Sequence, residues 1–158
     1  MPSVVIGSVV IELMGIKMGE SKTKKYQIFI SSTYTDLIPQ RTAVRDAILR
    51  MNQFPVGMEQ FGAVDEEQWE IIKQTIDTSD YYVLILGYRY GSVITTGGDI
   101  GISYTEIEYR YAKDKRVPIL AFLPDTDSVQ IDPKQLEGDD KRKKLELFKE
   151  SVKGSKLI

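Results

Sequence analysis

The sequence contains no cysteine and no histidine, and these two absences restrict the chemistry it can carry out. Without cysteine there is no disulfide framework, thiol nucleophile or zinc knuckle. Without histidine there is no Ser-His-Asp triad, Cys-His pair or His-ligated metal. Any catalysis must therefore depend on carboxylates, hydroxyls, lysine, arginine, tyrosine or backbone amides, and no metal site is predicted.

The chain also lacks a strong charge of one sign and a long hydrophobic run. Its formal net charge is −2, which gives no global basic field for nucleic acid. The basic cluster at residues 141–144 is flanked by acidic residues, so we interpret it as a solvated helix face. Residues 4–14 are apolar but too short to cross a bilayer, and they include Glu12 and no basic region. We therefore expect a cytoplasmic protein with neither nucleic acid nor membrane among its partners.

The length of 158 residues fits one domain with one core. Residues 1–24 are interpreted as an N-terminal extension outside the domain. Disorder of this segment and a true translation start at Met18 are both open explanations. Residues 25–158 are predicted to form a single α/β domain.

Apolar runs alternate with helical patterns along this domain. Strands are predicted at residues 26–30, 54–61, 81–86 and 117–123, and helices after Asp36, Asp65 and Ser103 and over residues 139–153. Pro55 and Gly57 place the second strand at an edge. The run at 81–86 has no polar alternation, as expected for a central strand buried on both faces. The order predicts a three-layer, flavodoxin-like, doubly wound parallel sheet with strand order 2-1-3-4.

In such a sheet a ligand binds outside the carboxyl ends of the strands, where the strand order reverses. For the order 2-1-3-4 this point lies between the first and third strands. Hydroxyls and amides after the first strand could hold phosphate or ribose, although turn chemistry is an equal alternative. After the third strand an arginine could bind phosphate and a tyrosine could stack on a base, or the segment could be a tyrosine-rich turn. The candidate binding residues are Ser31, Ser32, Thr33, Tyr88, Arg89 and Tyr90.

Two nearby glutamates, Glu106 and Glu108, differ in what their spacing explains. Glu106 stands three residues after Ser103, as in a capping box, and four before Arg110, as in a helix ion pair. Glu108 has no basic residue three or four positions away, and Tyr104 and Tyr111 lie at those spacings. We therefore select Glu108 as the candidate catalytic carboxylate, with a surface glutamate as the alternative.

Four ordered segments carry a resemblance to a known family. FISSTYTDL, FPVGMEQF, LGYRYGS and ISYTEIEYRYA resemble the signature blocks of the domain of unknown function 4062 family, over about residues 25–124. That family resembles TIR domains and, more distantly, nucleoside deoxyribosyltransferases. The resemblance implies a TIR-like domain that usually closes with a fifth strand and a last helix. Here that strand is expected to be lacking or truncated near residues 155–158.

The resemblance also implies a function. TIR domains that cleave NAD carry an aromatic residue four positions before the catalytic glutamate, and Tyr104 matches that spacing to Glu108, although tryptophan is usual. Deoxyribosyltransferases carry threonine three positions before theirs, and Thr105 matches. The implied function is binding of a nucleotide such as NAD, with cleavage of its N-glycosidic bond, as an effector in bacterial anti-phage immunity. NAD would be the substrate and no cofactor would be required.

The alternative is a non-catalytic signalling and oligomerisation module. Homotypic self-association is expected under either hypothesis. A fused or separate signalling NTPase is the other partner that the resemblance implies.

Overall fold

A computed structural model describes residues 24–57, 65–124, 132, 134 and 136–155. The described part contains four strands and four helices in strict alternation. In chain order they are β1 (Gln27–Ser32), α1 (Ile38–Arg50), β2 (Phe54–Val56), α2 (Glu66–Asp77), β3 (Tyr81–Ile85), α3 (Tyr104–Asp114), β4 (Ile119–Phe122) and α4 (Asp139–Lys153). The predictions for the N-terminal extension, for residues 58–61 of the second strand and for a strand start beyond residue 155 lie outside the described residues.

The strands form one parallel sheet in the order β2-β1-β3-β4, which confirms the predicted topology. β3 is an interior strand, as its unbroken apolar run predicts, and β2 is at an edge. In the register of β1 and β3, Ser31 lies opposite Leu84 and Ser32 opposite Ile85. The polar end of β1 is thus paired with the apolar end of the central strand.

The two faces of the sheet are covered unequally, giving three layers. Side chains alternate between faces along each strand. One face packs against α1, and its core includes Ile28, Ile30, Val83 and Ile85. The other face packs against α2, α3 and α4, and its core includes Phe29, Tyr82, Leu84, Ile76 and Val152. By this alternation Ser32 faces α1, whereas Ser31 faces the layer that contains α3.

The helix starts confirm two of three predicted caps. Asp65 accepts a bond from the backbone N–H of Gln68 at 2.8 Å, and Ser103 accepts one from Glu106 at 3.1 Å. The prediction that Asp36 caps α1 is wrong, because the residue before this helix is Leu37 and no side-chain cap bond forms there. The Asp36 carboxylate instead accepts a 2.5 Å bond from the Thr33 hydroxyl. Because Thr33 bonds the Asp36 carboxylate, this carboxylate does not bond the free N–H groups at the start of α1.

Candidate functional site

The loops that leave β1 and β3 touch each other at the carboxyl edge of the sheet. A Cβ placed on Gly91 would lie 2.7 Å from Cγ2 of Thr33, and one on Gly87 would lie 2.9 Å from a carboxylate oxygen of Asp36. The two loops can approach this closely only because glycine stands at both positions. The topology thus brings the two polar segments together at the point where the strand order reverses.

Glu108 reaches this edge from the first half of α3. Ser31 is 1% exposed and donates its hydroxyl hydrogen to Oε2 of Glu108, with 2.5 Å between the oxygens. Glu108 as a whole is half-buried, so its carboxyl points inward to the sheet and not along the solvated side of the helix. The surface-glutamate alternative predicts no such contact.

The surroundings of Glu108 favour its neutral form. Burial raises the pKa of the Glu108 carboxyl from 4.5 to about 7, although the bond from Ser31 and the charge of Arg41 both lower it. Burial is the largest of the three effects because the carboxylate loses water that one hydroxyl replaces only in part. Near neutral pH the group is therefore divided between its acid and its carboxylate forms.

Arg41 supplies a buried positive charge next to this carboxyl. It is 7% exposed, and its Nη1 donates to the Ser32 hydroxyl at 2.9 Å and to the Ile30 carbonyl at 3.4 Å. The guanidinium is thereby fixed at the end of β1, on the α1 side of the sheet. Its charge favours the ionised form of Glu108 across the edge of the sheet.

Tyr82 places a buried hydroxyl in the same cluster. Its side chain is 0% exposed, and its oxygen makes no hydrogen bond of ordinary geometry within the described part of the chain. Burial raises the pKa of Tyr82 well above its usual value, and the nearby Glu108 charge adds to the rise while Ser31 opposes it. An underused hydroxyl beside a carboxyl with a raised pKa is a polar arrangement that packing alone does not require.

A second polar cluster surrounds the carboxylate of Glu137. Backbone amides of Tyr90 and Gly91 donate to its two oxygens at 2.5 and 3.2 Å. Side chains of Arg89 and Lys141 approach it at 3.6 and 3.5 Å. The predicted anion-binding loop after β3 therefore holds a carboxylate of the chain itself.

Glu106 forms the helix ion pair that its spacing predicts, and its carboxylate also makes a contact with Tyr90 that was not predicted. Arg110 donates to one of its carboxylate oxygens at 2.6 Å, and the Tyr90 hydroxyl donates to the other at 2.5 Å. The carboxylate thus ties α3 to the loop after β3, while Ser103 caps the helix through the Glu106 backbone. Glu106 and Glu108, two residues apart, have separate surroundings.

The described surface also contains a groove of about 790 Å³ beside α4. Tyr88 and Leu136 form one border, and residues of α4 from Asp139 to Glu150 form the rest. Glu108 and Ser31 do not line it. The Lys149 ammonium lies 5.8 Å from the centre of the Tyr88 ring.

A family model described as Domain of unknown function (DUF4062) matches residues 27–158. The chain belongs to this family. No curated protein and no solved structure matches the chain, so the TIR-like likeness of this DUF4062 domain stays a prediction.

Five of the six predicted binding residues of the DUF4062 domain fall into three groups, and the sixth, Thr33, lies between two of them. Ser31 and Ser32 lie in the cluster of Glu108 and Arg41. Arg89 and Tyr90 lie in the cluster of Glu137, and Tyr88 borders the groove. Thr33 connects the two clusters. Its carbonyl accepts a 2.7 Å bond from the Ser32 hydroxyl, and its side chain lies against Gly91 and bonds Asp36, whose carboxyl feels the charges of Arg89 and Glu137.

Several side chains of these clusters were not selected from the sequence, and Lys141 was interpreted only as part of a solvated helix face. Arg41 gives a usable signal, because it is a charged residue in the inner stripe that Leu37, Val44 and Ile48 define on α1. Tyr82 carries a polar hydroxyl inside an otherwise apolar strand. Glu137 gives no signal, since it approaches Tyr90 from 47 residues away.

The described residues contain no group of three or more acidic ligands that could hold a metal ion. None of their helices has the length and apolar character needed to cross a membrane.

Proposed function

We propose that this DUF4062 domain binds a nucleotide such as NAD at the carboxyl edge of its sheet and cleaves the N-glycosidic bond. The observation that carries the proposal is the inward Glu108 carboxyl. It accepts a 2.5 Å hydrogen bond from buried Ser31, and burial raises its pKa to about 7. Carboxyls with raised pKa values cluster at functional sites. The proposed setting is an effector in bacterial immune signalling, which the family resemblance implies.

The reaction needs one well-placed carboxylate. The bond between the ribose carbon and the nicotinamide nitrogen breaks, and its electron pair leaves with nicotinamide, which becomes neutral. Positive charge develops on the ribose, as in glycoside hydrolysis, and ionised Glu108 stabilises it. Water then adds to the ribose carbon, and its proton passes to Glu108 and on to solvent.

The neighbours of Glu108 have distinct proposed roles. Ser31 orients the carboxylate through its hydrogen bond. Arg41 favours the ionised form that the reaction uses, since its charge lowers the pKa of Glu108. Tyr82 offers a buried hydroxyl that makes no hydrogen bond of ordinary geometry within the described residues. Tyr88, at the border of the groove, would stack on a base.

A second candidate, a non-catalytic signalling and oligomerisation module, is favoured by the groove. This groove lies against α4, Glu108 is not among the residues that line it, and its lining residue Leu147 is 70% exposed. Exposed apolar side chains along a groove are typical of interaction surfaces. In this case the partners would be a second copy of the chain or a signalling NTPase.

The deciding experiment is incubation with NAD and chromatographic analysis of nicotinamide and ADP-ribose. Wild type, Glu108→Gln and Glu106→Gln are compared at high protein concentration, because self-association is expected. Glu108→Gln should reduce cleavage by at least 100-fold, since loss of one charge-stabilising group commonly costs about 10²–10³ in rate. Glu106→Gln removes the same charge two residues away but keeps a side-chain oxygen that can accept from Tyr90 or Arg110, so it should keep most of the activity.

Comparing Glu108→Gln with Glu106→Gln tests the assignment of Glu108 as the catalytic carboxylate. Equal loss of activity in both variants would show that Glu108 has no special role. Absence of cleavage by a folded wild type at every concentration would favour the signalling module.

A further inference from the structure

The carboxylate of Glu137 occupies a cradle that has the composition of a phosphate site. Its Oε2 accepts from the Tyr90 amide at 2.5 Å, and its Oε1 accepts from the Gly91 amide at 3.2 Å. Oε1 also lies 3.6 Å from Arg89 and 3.5 Å from Lys141. The Glu137 side chain is 5% exposed, so this carboxylate has exchanged most of its water for the cradle.

The backbone of the cradle is built for an anion. Two consecutive amides point at the same carboxylate, an arrangement that backbone anion-binding nests share. Gly91 adopts φ +88°, in the left-handed region that favours glycine. Lys141 is held in place by a 2.8 Å bond to the Gly91 carbonyl, so its ammonium faces the site whether or not Glu137 occupies it.

The charges around the cradle leave room for an external anion when Glu137 is displaced. Arg89 and Lys141 are the cations, and Asp36 is a second carboxylate close enough to feel both Arg89 and Glu137. With Glu137 in place two carboxylates oppose two cations, and Asp36 and Glu137 repel each other. Without it two cations face one carboxylate, a balance that attracts a negative ligand.

We propose that this cradle is the phosphate-binding site of the domain and that Glu137 is an internal competitor which fills it in the free protein. The ligand is a nucleoside di- or triphosphate. Tyr88 and Leu136, which line the groove, directly precede Arg89 and Glu137 in the chain, so a phosphate in the cradle can place its nucleoside in the groove. The choice of a nucleotide rests on the proposed function, whereas the oxyanion site does not require cleavage. A ligand phosphate takes over the amide bonds that Glu137 releases.

Binding is measured by isothermal titration calorimetry with inorganic pyrophosphate, ADP and adenosine. Glu137→Gln should bind pyrophosphate and ADP about tenfold or more tightly than wild type, because the competing charge is gone. Adenosine should show no such gain. Glu70→Gln is the control, since it removes the same charge from an exposed position on α2, where Glu70 pairs with Lys73.

A second variant tests the cradle itself and guards against a folding artefact. Adding Lys141→Met to Glu137→Gln should abolish the gain, and pyrophosphate should raise the melting temperature of Glu137→Gln more than that of wild type. Equal pyrophosphate affinity in Glu137→Gln and Glu70→Gln would overturn the proposal. A gain for pyrophosphate without one for ADP would overturn the nucleotide assignment. Neither readout depends on NAD cleavage, so failure here is distinct from failure of the proposed activity.

Discussion

At the scale of single residues, the role of each buried carboxylate depends on how much water it loses and on the polar groups that replace this water. Glu108 has a hydroxyl donor and a nearby guanidinium, yet burial still dominates its pKa. Glu137 has two amides and two cations around it. Glu137, with more donors and positive charges around it, occupies a position suited to an anion. Glu108, with fewer, is suited to a change of protonation.

The raised pKa of Glu108 predicts a pH-dependent stability. The folded chain holds this proton up to about pH 7, whereas a glutamate with the ordinary value releases it near 4.5. Between these values the folded state binds more protons, so the free energy of unfolding falls as pH rises. The full shift corresponds to roughly 3 kcal/mol at most. In urea titrations Glu108→Gln should therefore gain stability relative to wild type as pH increases from 4.5 to 8.

Glu106→Gln serves as the control for the same titrations, because it removes a carboxylate from the same helix. The gain in stability of Glu108→Gln with rising pH is measured against this variant as well as against wild type. Parallel pH curves for wild type and Glu108→Gln would contradict the burial of this carboxyl.

At the scale of elements, α3 is the part of the fold that aims the candidate catalytic group. Its first turn is fixed by the Ser103 cap and by the bonds of Glu106 to Tyr90 and Arg110. Glu108 follows in the next turn and therefore inherits its position from these contacts. α2 has an equivalent cap at Asp65 but carries no residue of either polar cluster.

The two caps allow stability to be separated from positioning. Ser103→Ala and Asp65→Ala each remove one side-chain bond to a helix N–H and should each cost about 1 kcal/mol of unfolding free energy. Only Ser103→Ala should also lower the turnover of NAD, by several-fold, because only α3 carries Glu108. Denaturant unfolding and the NAD assay on both variants check this, and equal activity in the two would show that the cap does not position Glu108.

At the scale of the whole molecule, the sequence is enough to predict the sheet and its switch point, because strand order follows from alternation and apolar runs. The caps at Asp65 and Ser103 were also predictable, since they depend on residues three apart. The predicted cap at Asp36 fails because its carboxylate bonds the Thr33 hydroxyl instead of the helix start. The sequence does not show which of these two contacts Asp36 makes. Glu137 could not be predicted, because its contact with Tyr90 spans 47 residues and no local pattern encodes it.

The meeting of the loops after β1 and β3 is the whole-molecule feature on which both polar clusters depend, and two glycines can test it. Gly91 and Gly97 have nearly the same backbone angle, with φ +88° and +91°. A Cβ on Gly91 would lie 2.7 Å from Thr33, whereas one on Gly97 would have nothing within 4 Å. Gly97→Ala should cost only the backbone strain, about 1–2 kcal/mol. Gly91→Ala should cost about 3 kcal/mol or more, because the loops must also separate. Thermal and urea unfolding measure the difference, and pyrophosphate binding in the Glu137→Gln background should fall with Gly91→Ala but not with Gly97→Ala. Equal losses of stability in the two variants would mean that the loops are not in contact. The two polar clusters would then not lie close together.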